Sequence, residues 1–180
     1  MPQTNLTIAG VGGQGSILAG VILGSAAVTY DNKYATQTQA YSSELRGGFA
    51  ATWVIVSYEP IEFPRVIHTD VLVAQAQDSI RRFGGVIKAD GILIFDSDMV
   101  HEIPQNVKRR FKVPATSIAR NQVKSPVTAN MVMLGALHKI TSVVSRAALE
   151  QAITKAVPKG KERINLDAFS LGFEAVVETH

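Results

Sequence analysis

Apolar residues in this chain fall into two alternating kinds of run. Short runs rich in β-branched residues recur at Asn5–Ala9, Tyr34–Thr38, Phe49–Ser57, Asp70–Ala74 and Gly91–Phe95, with a further one at Val113–Ile118. Between and after them lie longer segments with helical spacing. One runs from about Gly13 to Tyr30, and its apolar residues leave nearly no polar face. Strand-like and helix-like segments in alternation predict an α/β fold, a mostly parallel sheet flanked by helices in three layers. A helix apolar on nearly every side is expected beneath other layers.

The last third is helical throughout in this reading. Ser125-Pro126 fits an N-cap followed by proline at the first helical position, opening a helix to about Ile140. Ser145 caps the next helix, to about Val157, and a final helix covers Glu162 to Glu178. Asp78 caps a short helix to Phe83, and Glu59–Pro64, with two prolines, is a loop or edge piece. No repeat, low-complexity tract or linker divides the chain, so residues 1–180 read as one domain.

Two glycine-rich turns interrupt this pattern. Gly10-Val11-Gly12-Gly13-Gln14-Gly15 joins the first strand to the long apolar helix. Glu44-Leu45-Arg46-Gly47-Gly48 precedes the third strand. A strand, a tight glycine turn and a helix start make a place for an anion. Glycine lets the backbone approach a ligand, and free N–H groups at the helix start face it. Gln14 adds an amide there. In the second turn, Arg46 beside two glycines has the fork geometry to clamp a carboxylate or phosphate. Tyr41, Ser42 and Ser43 bring hydroxyls to the same loop, with no neighbouring base to activate a serine. Each turn also has a purely structural reading: helix–strand packing for the first, loop or interface organisation for the second.

The first turn fits the letters of the dinucleotide fingerprint. That motif needs an acidic residue at the end of the second strand. Here Asp31 sits in the turn before that strand, which ends in Thr38 and Gln39. A nicotinamide or flavin site therefore loses half its support.

Composition then narrows the chemistry. With 180 residues, 46% hydrophobic and 18% charged, the chain has material for a sizeable core. The low charge is consistent with surface covered by partner subunits. There are no cysteines, hence no disulfide and no thiolate for an iron–sulfur cluster or zinc ribbon. The net charge of +3 is scattered. Its one run, Lys108-Arg109-Arg110-Phe111-Lys112, reads as solvated surface and not as a nucleic-acid stripe. The first residues lack the order of a signal peptide. The longest apolar run, Ile17–Tyr30, is shorter than the roughly 20 residues of a membrane span. The expectation is a cytoplasmic protein with no membrane and no nucleic-acid partner.

His68, His101, His138 and His180 are isolated, without metal-ligand spacing. Asp96-Ser97-Asp98, at a strand end, reads as a cap for the next turn. Asp90-Gly91 with Asn121 has letters of a thiamine-diphosphate magnesium motif, but it precedes a strand where the motif should follow one. No catalytic constellation and no metal site emerge.

The ordered motifs resemble the gamma subunit, or gamma domain, of 2-oxoacid:acceptor (ferredoxin) oxidoreductases. Ile8-Ala9-Gly10-Val11-Gly12-Gly13-Gln14-Gly15 is similar to that family's opening. Tyr41-Ser42-Ser43-Glu44-Leu45-Arg46-Gly47-Gly48 matches the Tyr, Glu, Arg and both glycines of its second hallmark, with Ser42-Ser43 in place of the commoner Gly-Pro. Pro60-Ile61, Asp70-Val71-Leu72-Val73-Ala74, Ala129-Asn130-Met131-Val132-Met133-Leu134-Gly135-Ala136, and Asn165-Leu166-Asp167-Ala168-Phe169 with Gly172 follow in order.

The resemblance implies a non-autonomous subunit of an enzyme that decarboxylates a 2-oxoacid on thiamine diphosphate and sends electrons through 4Fe-4S clusters to ferredoxin. The acyl group passes to coenzyme A (CoA). It implies alpha, beta and delta-type partner subunits that carry the thiamine diphosphate, magnesium and clusters. It also implies a possible homodimer in isolation, and a share for this chain in the CoA pocket wall. The candidate binding residues are Gly10, Gly12, Gly13, Gln14, Gly15, Tyr41, Ser42, Ser43, Glu44, Arg46, Gly47, Gly48 and Asn130. The substrate expectation is 2-oxoglutarate or a related 2-oxoacid. The small subunit of an indolepyruvate oxidoreductase shares these motifs. A stand-alone nucleotide-binding regulator and a free-standing dehydrogenase are the readings from other classes.

Overall fold

The computed structural model describes residues 3–43 and 48–179. Seven strands form one sheet in the order β2-β3-β1-β4-β5-β6-β7. They are β1 (Gln3–Val11), β2 (Tyr34–Tyr41), β3 (Phe49–Ser57), β4 (Thr69–Ala74), β5 (Ile87–Asp96), β6 (Arg109–Val113) and β7 (Val177–Thr179). The helices are α1 (Ser16–Thr29), α2 (Gln77–Phe83), a single turn α3 (Ala115–Ser117), α4 (Ala129–Thr141), α5 (Arg146–Ala156) and α6 (Glu162–Ala175).

The β1–β4, β4–β5 and β5–β6 pairings are parallel. β1 and β2 both run antiparallel to β3, so they point the same way as each other. Only β3 and β7 are reversed, which gives the mostly parallel sheet expected from the sequence. Side chains alternate between two apolar layers. Val71, Val73, Ile92 and Ile94 join the larger cluster with α1, α4, α5 and α6. Leu72, Ala74, Leu93 and Phe95 join a smaller one with Ile80 of α2. Burial on both faces explains why these strands read as continuous apolar runs.

Two glycines set the depth of the main helical layer. A Cβ on Gly135 of α4 would collide with the carbonyl oxygen of Phe169, and one on Gly172 of α6 with that of Val132. The two backbones therefore touch where no side chain intervenes.

The structure corrects three local expectations. The basic run is solvated as expected at Lys108, Arg109 and Lys112, but it also carries strand β6, which is not among the strands expected from the sequence. Alternation turns Phe111 and Val113 into the core while Lys108, Arg109 and Lys112 reach solvent, and long cationic stems tolerate such half-burial. The strand expected at Val113–Ile118 is instead the end of β6, the turn α3 and a wider π turn at Ile118–Gln122. The final helix stops at Ala175, and Val177–Thr179 pairs with β6, covering its free edge. A smaller difference concerns α2, which has no side-chain cap; Asp78 lies in its first turn and pairs with Arg82.

Candidate functional site

β1 leads through α1 to β2 on one side of the sheet. β4 leads through α2 to β5 on the other. The chain thus diverges at the carboxyl ends of the adjacent strands β1 and β4. Open α/β sheets form their binding crevices at such switch points. The first glycine turn occupies this one.

Its geometry follows from the glycines. Gly10 is buried at the end of β1, where an added Cβ would collide with Gln14 Oε1 and meet Ser16 Oγ at 2.7 Å. Gly13 and Gly15 have φ of +91° and +73°, the left-handed region that side chains rarely adopt. The space over Gly15 belongs to Asn130, whose Nδ2 donates to the Gly15 carbonyl at 3.2 Å. Asn130 Oδ1 accepts from Met131 N, so α4 orients the amide that closes the turn.

Gln14 is turned inward. Val11 N–H donates to its Oε1 at 2.8 Å, and its Nε2 donates to the Gln75 carbonyl at 3.0 Å. Gln75 Nε2 returns a bond to the Gln14 carbonyl at 3.1 Å, and Ser16 Oγ donates to Gln75 Oε1 at 2.7 Å. The two glutamines lock the ends of β1 and β4 together. Gln14 is therefore a brace within the crevice as well as a residue on its rim. Gln75, 2% exposed, was not singled out from sequence. The available signal was a polar residue directly after the buried run Asp70–Ala74.

The two glycine motifs meet. Gly12 N–H donates to the Gly48 carbonyl at 2.8 Å. Ser42 N–H donates to the Phe49 carbonyl at 2.9 Å, closing the loop that carries the second motif. Tyr41 is exposed, and its hydroxyl accepts from Gln39 Nε2 at 2.6 Å; Ser43 is exposed. Glu44, Arg46 and Gly47 lie outside the described residues. Beside Gly48, on the α2 face, Phe83 makes edge contacts with Phe49 and Trp53, and the Arg82 guanidinium lies 4.4 Å above the Phe49 ring.

The crevice thus presents backbone and amides more than reactive groups. Among the described residues, no acceptor meets the N–H groups of Ser16, Ile17 and Leu18 at the start of α1. No cluster of His, Asp and Glu among them has the geometry for a metal ion. At the carboxyl end of β5, burial pushes the Asp96 carboxyl above its ordinary value. That carboxyl accepts from Asp98 N, Ala115 N and Thr116 N and Oγ1, so it organises the next turn. Asp31 accepts from Ser145 N and Oγ, beyond the end of α1 remote from the glycine turn. A separate cavity of about 360 Å³ lies at the opposite pole, lined by Asp70, Asp90, Arg109 and the end of α4. No described helix is long and apolar enough to cross a membrane.

Comparison with known proteins places this arrangement. The family model described as pyruvate ferredoxin/flavodoxin oxidoreductase matches residues 5–175. The 2-oxoglutarate synthase subunit KorC of Methanocaldococcus jannaschii is 47% identical over 178 residues, covering 98% of this chain and 95% of that protein. The crystal structure of a keto/oxoacid ferredoxin oxidoreductase gamma subunit from Geobacter sulfurreducens superposes with a TM-score of 0.88 at 36% identity, covering 97% of each chain. The ketoisovalerate oxidoreductase subunit VorA of Methanothermobacter thermautotrophicus is 33% identical over 96% of this chain, which spans only 36% of that longer protein.

Proposed function

This chain belongs to the pyruvate ferredoxin/flavodoxin oxidoreductase family and is a gamma-type subunit of a 2-oxoacid:ferredoxin oxidoreductase; from that premise we propose that its complex acts on 2-oxoglutarate. The observation that carries the substrate is the end-to-end identity with KorC, which exceeds that with the ketoisovalerate relative. The reaction is oxidative decarboxylation to an acyl-CoA, with electrons leaving to ferredoxin in the cytoplasm.

The donor set of this chain assigns the hard chemistry elsewhere. A cysteine-free sequence offers no ligand for a 4Fe-4S cluster. Asp90 and Gly91 lie within β5, not at a strand's carboxyl end, so they do not fit the magnesium motif of thiamine diphosphate. Alpha, beta and delta-type companion subunits hold those groups in this reading.

This chain contributes a wall. The bond from Gly12 to Gly48 supports a reading in which the second glycine motif borders the same crevice. The N–H groups at the start of α1, with the helix dipole behind them, suit an anionic group such as a CoA phosphate. CoA, when bound, supplies the thiol that accepts the acyl group. Gly13, with no neighbour near an added Cβ, leaves the rim open. Gln14, Gln75 and Asn130 hold the turn rigid. Tyr41, Ser42, Ser43 and Gly48 flank the second side of the site in this reading, and Glu44, Arg46 and Gly47 are its candidates from the sequence.

The test is reconstitution with the companion subunits. Ferredoxin or viologen reduction is measured with 2-oxoglutarate, pyruvate and a branched 2-oxoacid. The expected result is a kcat/KM preference for 2-oxoglutarate and no turnover by this chain alone. A preference for another 2-oxoacid, or turnover by the isolated chain, overturns the reading. Arg46→Ala in the same enzyme lowers acyl-CoA formation. Unchanged rate and assembly remove Arg46 from the site.

A further inference from the structure

Helix α1 reads Ser-Ile-Leu-Ala-Gly-Val-Ile-Leu-Gly-Ser-Ala-Ala-Val-Thr, without one ionisable side chain. A helix apolar on every face is stable where it is covered on every face. Its inner arc, including Ala19, Ile22, Leu23, Ala26 and Ala27, is buried in the main core. Its outer arc is not covered. Leu18, Val21 and Val28 are 38%, 44% and 53% exposed. At helical spacing they form one stripe, with Ser25 between them. Gly24 flanks the stripe, and no atom lies within 4 Å of a Cβ built there. Small residues along an apolar stripe leave a furrow into which another element can sink.

The neighbouring strand is equally unguarded. Among the described residues β2 is the edge of the sheet and pairs only with β3, in unbroken register from Tyr34 to Tyr41. Its sequence, Tyr-Ala-Thr-Gln-Thr-Gln-Ala-Tyr, has no charge and no proline. Free edges of soluble sheets are normally blunted by lysine, proline or a bulge, or else covered. The other edge of this sheet is a strand of three residues. The two bare surfaces are continuous. Val28, Tyr34, Ala35, Tyr58 and Ile61, with Asn32, Lys33 and Thr36, line one groove of about 650 Å³.

We propose that the outer face of α1 and the free edge of β2 seat an uncharged, apolar segment of a companion subunit. This rests on the gamma-subunit reading above. The occupant is argued from the longer relative. In VorA this unit is 36% of the polypeptide, so most of that chain lies outside it yet stays joined to it. The KorC relative, of which this chain spans 95%, is little more than the unit, so a subunit of that kind must hold such a neighbour without a covalent link, and that requires buried apolar area, typically about 800 Å² per partner. The α1 stripe and β2 carry no charge in a chain of net charge +3, and Lys33, the charged residue of the groove, is paired with Asp31, so the complement is apolar. The location also fits. Leu18 stands one turn beyond Gly15, and Tyr41 leads into the second glycine motif, so the seated segment borders the crevice.

The experiment coexpresses the full chain with its companion subunits and captures the complex through a tag on one companion. Val21→Asp with Val28→Asp is the disruptive variant. Val28→Lys is the milder one, at the most exposed position of the stripe. Lys155→Glu, on the exposed side of α5, is the control. Thermal melts of each isolated chain report folding. The expected result is at least about tenfold less of the stripe variants in the captured complex, with melts like wild type and full recovery of the control, because a charge buried in an apolar contact goes unpaired. Full recovery of both stripe variants overturns the proposal. A dimer of the isolated wild type that the same substitutions split, by light scattering, overturns it in favour of a second copy. A wild-type chain that captures no companion overturns both this proposal and the reading it rests on, whereas failure confined to the surface leaves that reading standing.

Discussion

Helices α1 and α4 are built alike and end differently. Neither carries an acidic residue, and both are rich in Ala, Leu, Val and Gly. In α4 every residue from Asn130 to Leu137 is buried. In α1 the inner arc is buried and a stripe of three apolar residues stays in water. The difference lies in the partners. Gly135 of α4 receives the backbone of α6, and Gly172 of α6 receives that of α4, so that pair closes on itself. Gly20 of α1 receives the side chain of Thr52 of β3 beneath it, and no described atom comes within 4 Å of a Cβ on Gly24. An apolar helix surface is thus a request for a neighbour, met within the chain in one case and left open in the other.

The sharpest way to break this contrast is to disturb the closed pair. Gly135→Leu must push α6 off α4, because the clash is with backbone. The expected loss is at least about 3 kcal/mol, or roughly 10 °C in Tm for a chain of this size. A melt within 2 °C of wild type, an arbitrary but strict limit of roughly 0.5 kcal/mol, would show that the helices have slack. Next comes the brace in the crevice. Gln14→Ala leaves the Val11 N–H and the Gln75 carbonyl without their partner. Denaturant titration should show a loss of about 1–3 kcal/mol.

Ser145→Ala removes the N-cap of α5 and one of the two bonds to Asp31. The expected cost is about 1 kcal/mol. Burial raises the Asp31 carboxyl, but the Ser145 bonds and Lys33 outweigh it and hold the group below its ordinary value. Its stabilising contribution is therefore present near neutral pH and lost as pH falls below that value, and Ser145→Ala should weaken this acid dependence.

His138 gives a gentler slope. Its ring packs on Phe169 and Phe173, and its Nδ1 lies 3.1 Å from the Val144 carbonyl. Burial, with help from Arg146, outweighs that bond and holds the imidazole below the ordinary 6.5. The unfolded chain takes up the proton first, so stability declines as pH drops below 6.5. His138→Gln should flatten Tm against pH in that range. The smallest effect belongs to the open helix. Val28→Lys should change the stability of the isolated chain by no more than about 0.5 kcal/mol. A large loss there would mean that the stripe is part of the fold and not a seat for another chain.

Much of the fold was legible in the sequence. β3 begins and ends where its β-branched run does, and Ser145 caps α5 through the Ala148 N–H as its position implied. What misled was polarity read residue by residue. Lys108–Lys112 read only as surface because four of its five residues are cationic; its cations do reach solvent, but Phe111 and Val113 on alternate positions made it a strand. The terminal Val176-Val177-Glu178 looked like the tail of α6. Its fate depended on β6 having an unpaired edge, a fact stored elsewhere in the chain.

The sequence by itself determined the alternation of strand and helix, the lack of any thiol ligand, and the glycine turn after β1, because these follow from local periodicity and from the chemistry of single side chains. Only the tertiary structure decided that Gly12 and Gly48 touch, that Gln14 turns inward to Gln75, and that α4 is sealed while α1 is not. Those outcomes depend on which element comes to lie beside which, and contacts between residues distant in sequence are set by packing rather than by any local pattern.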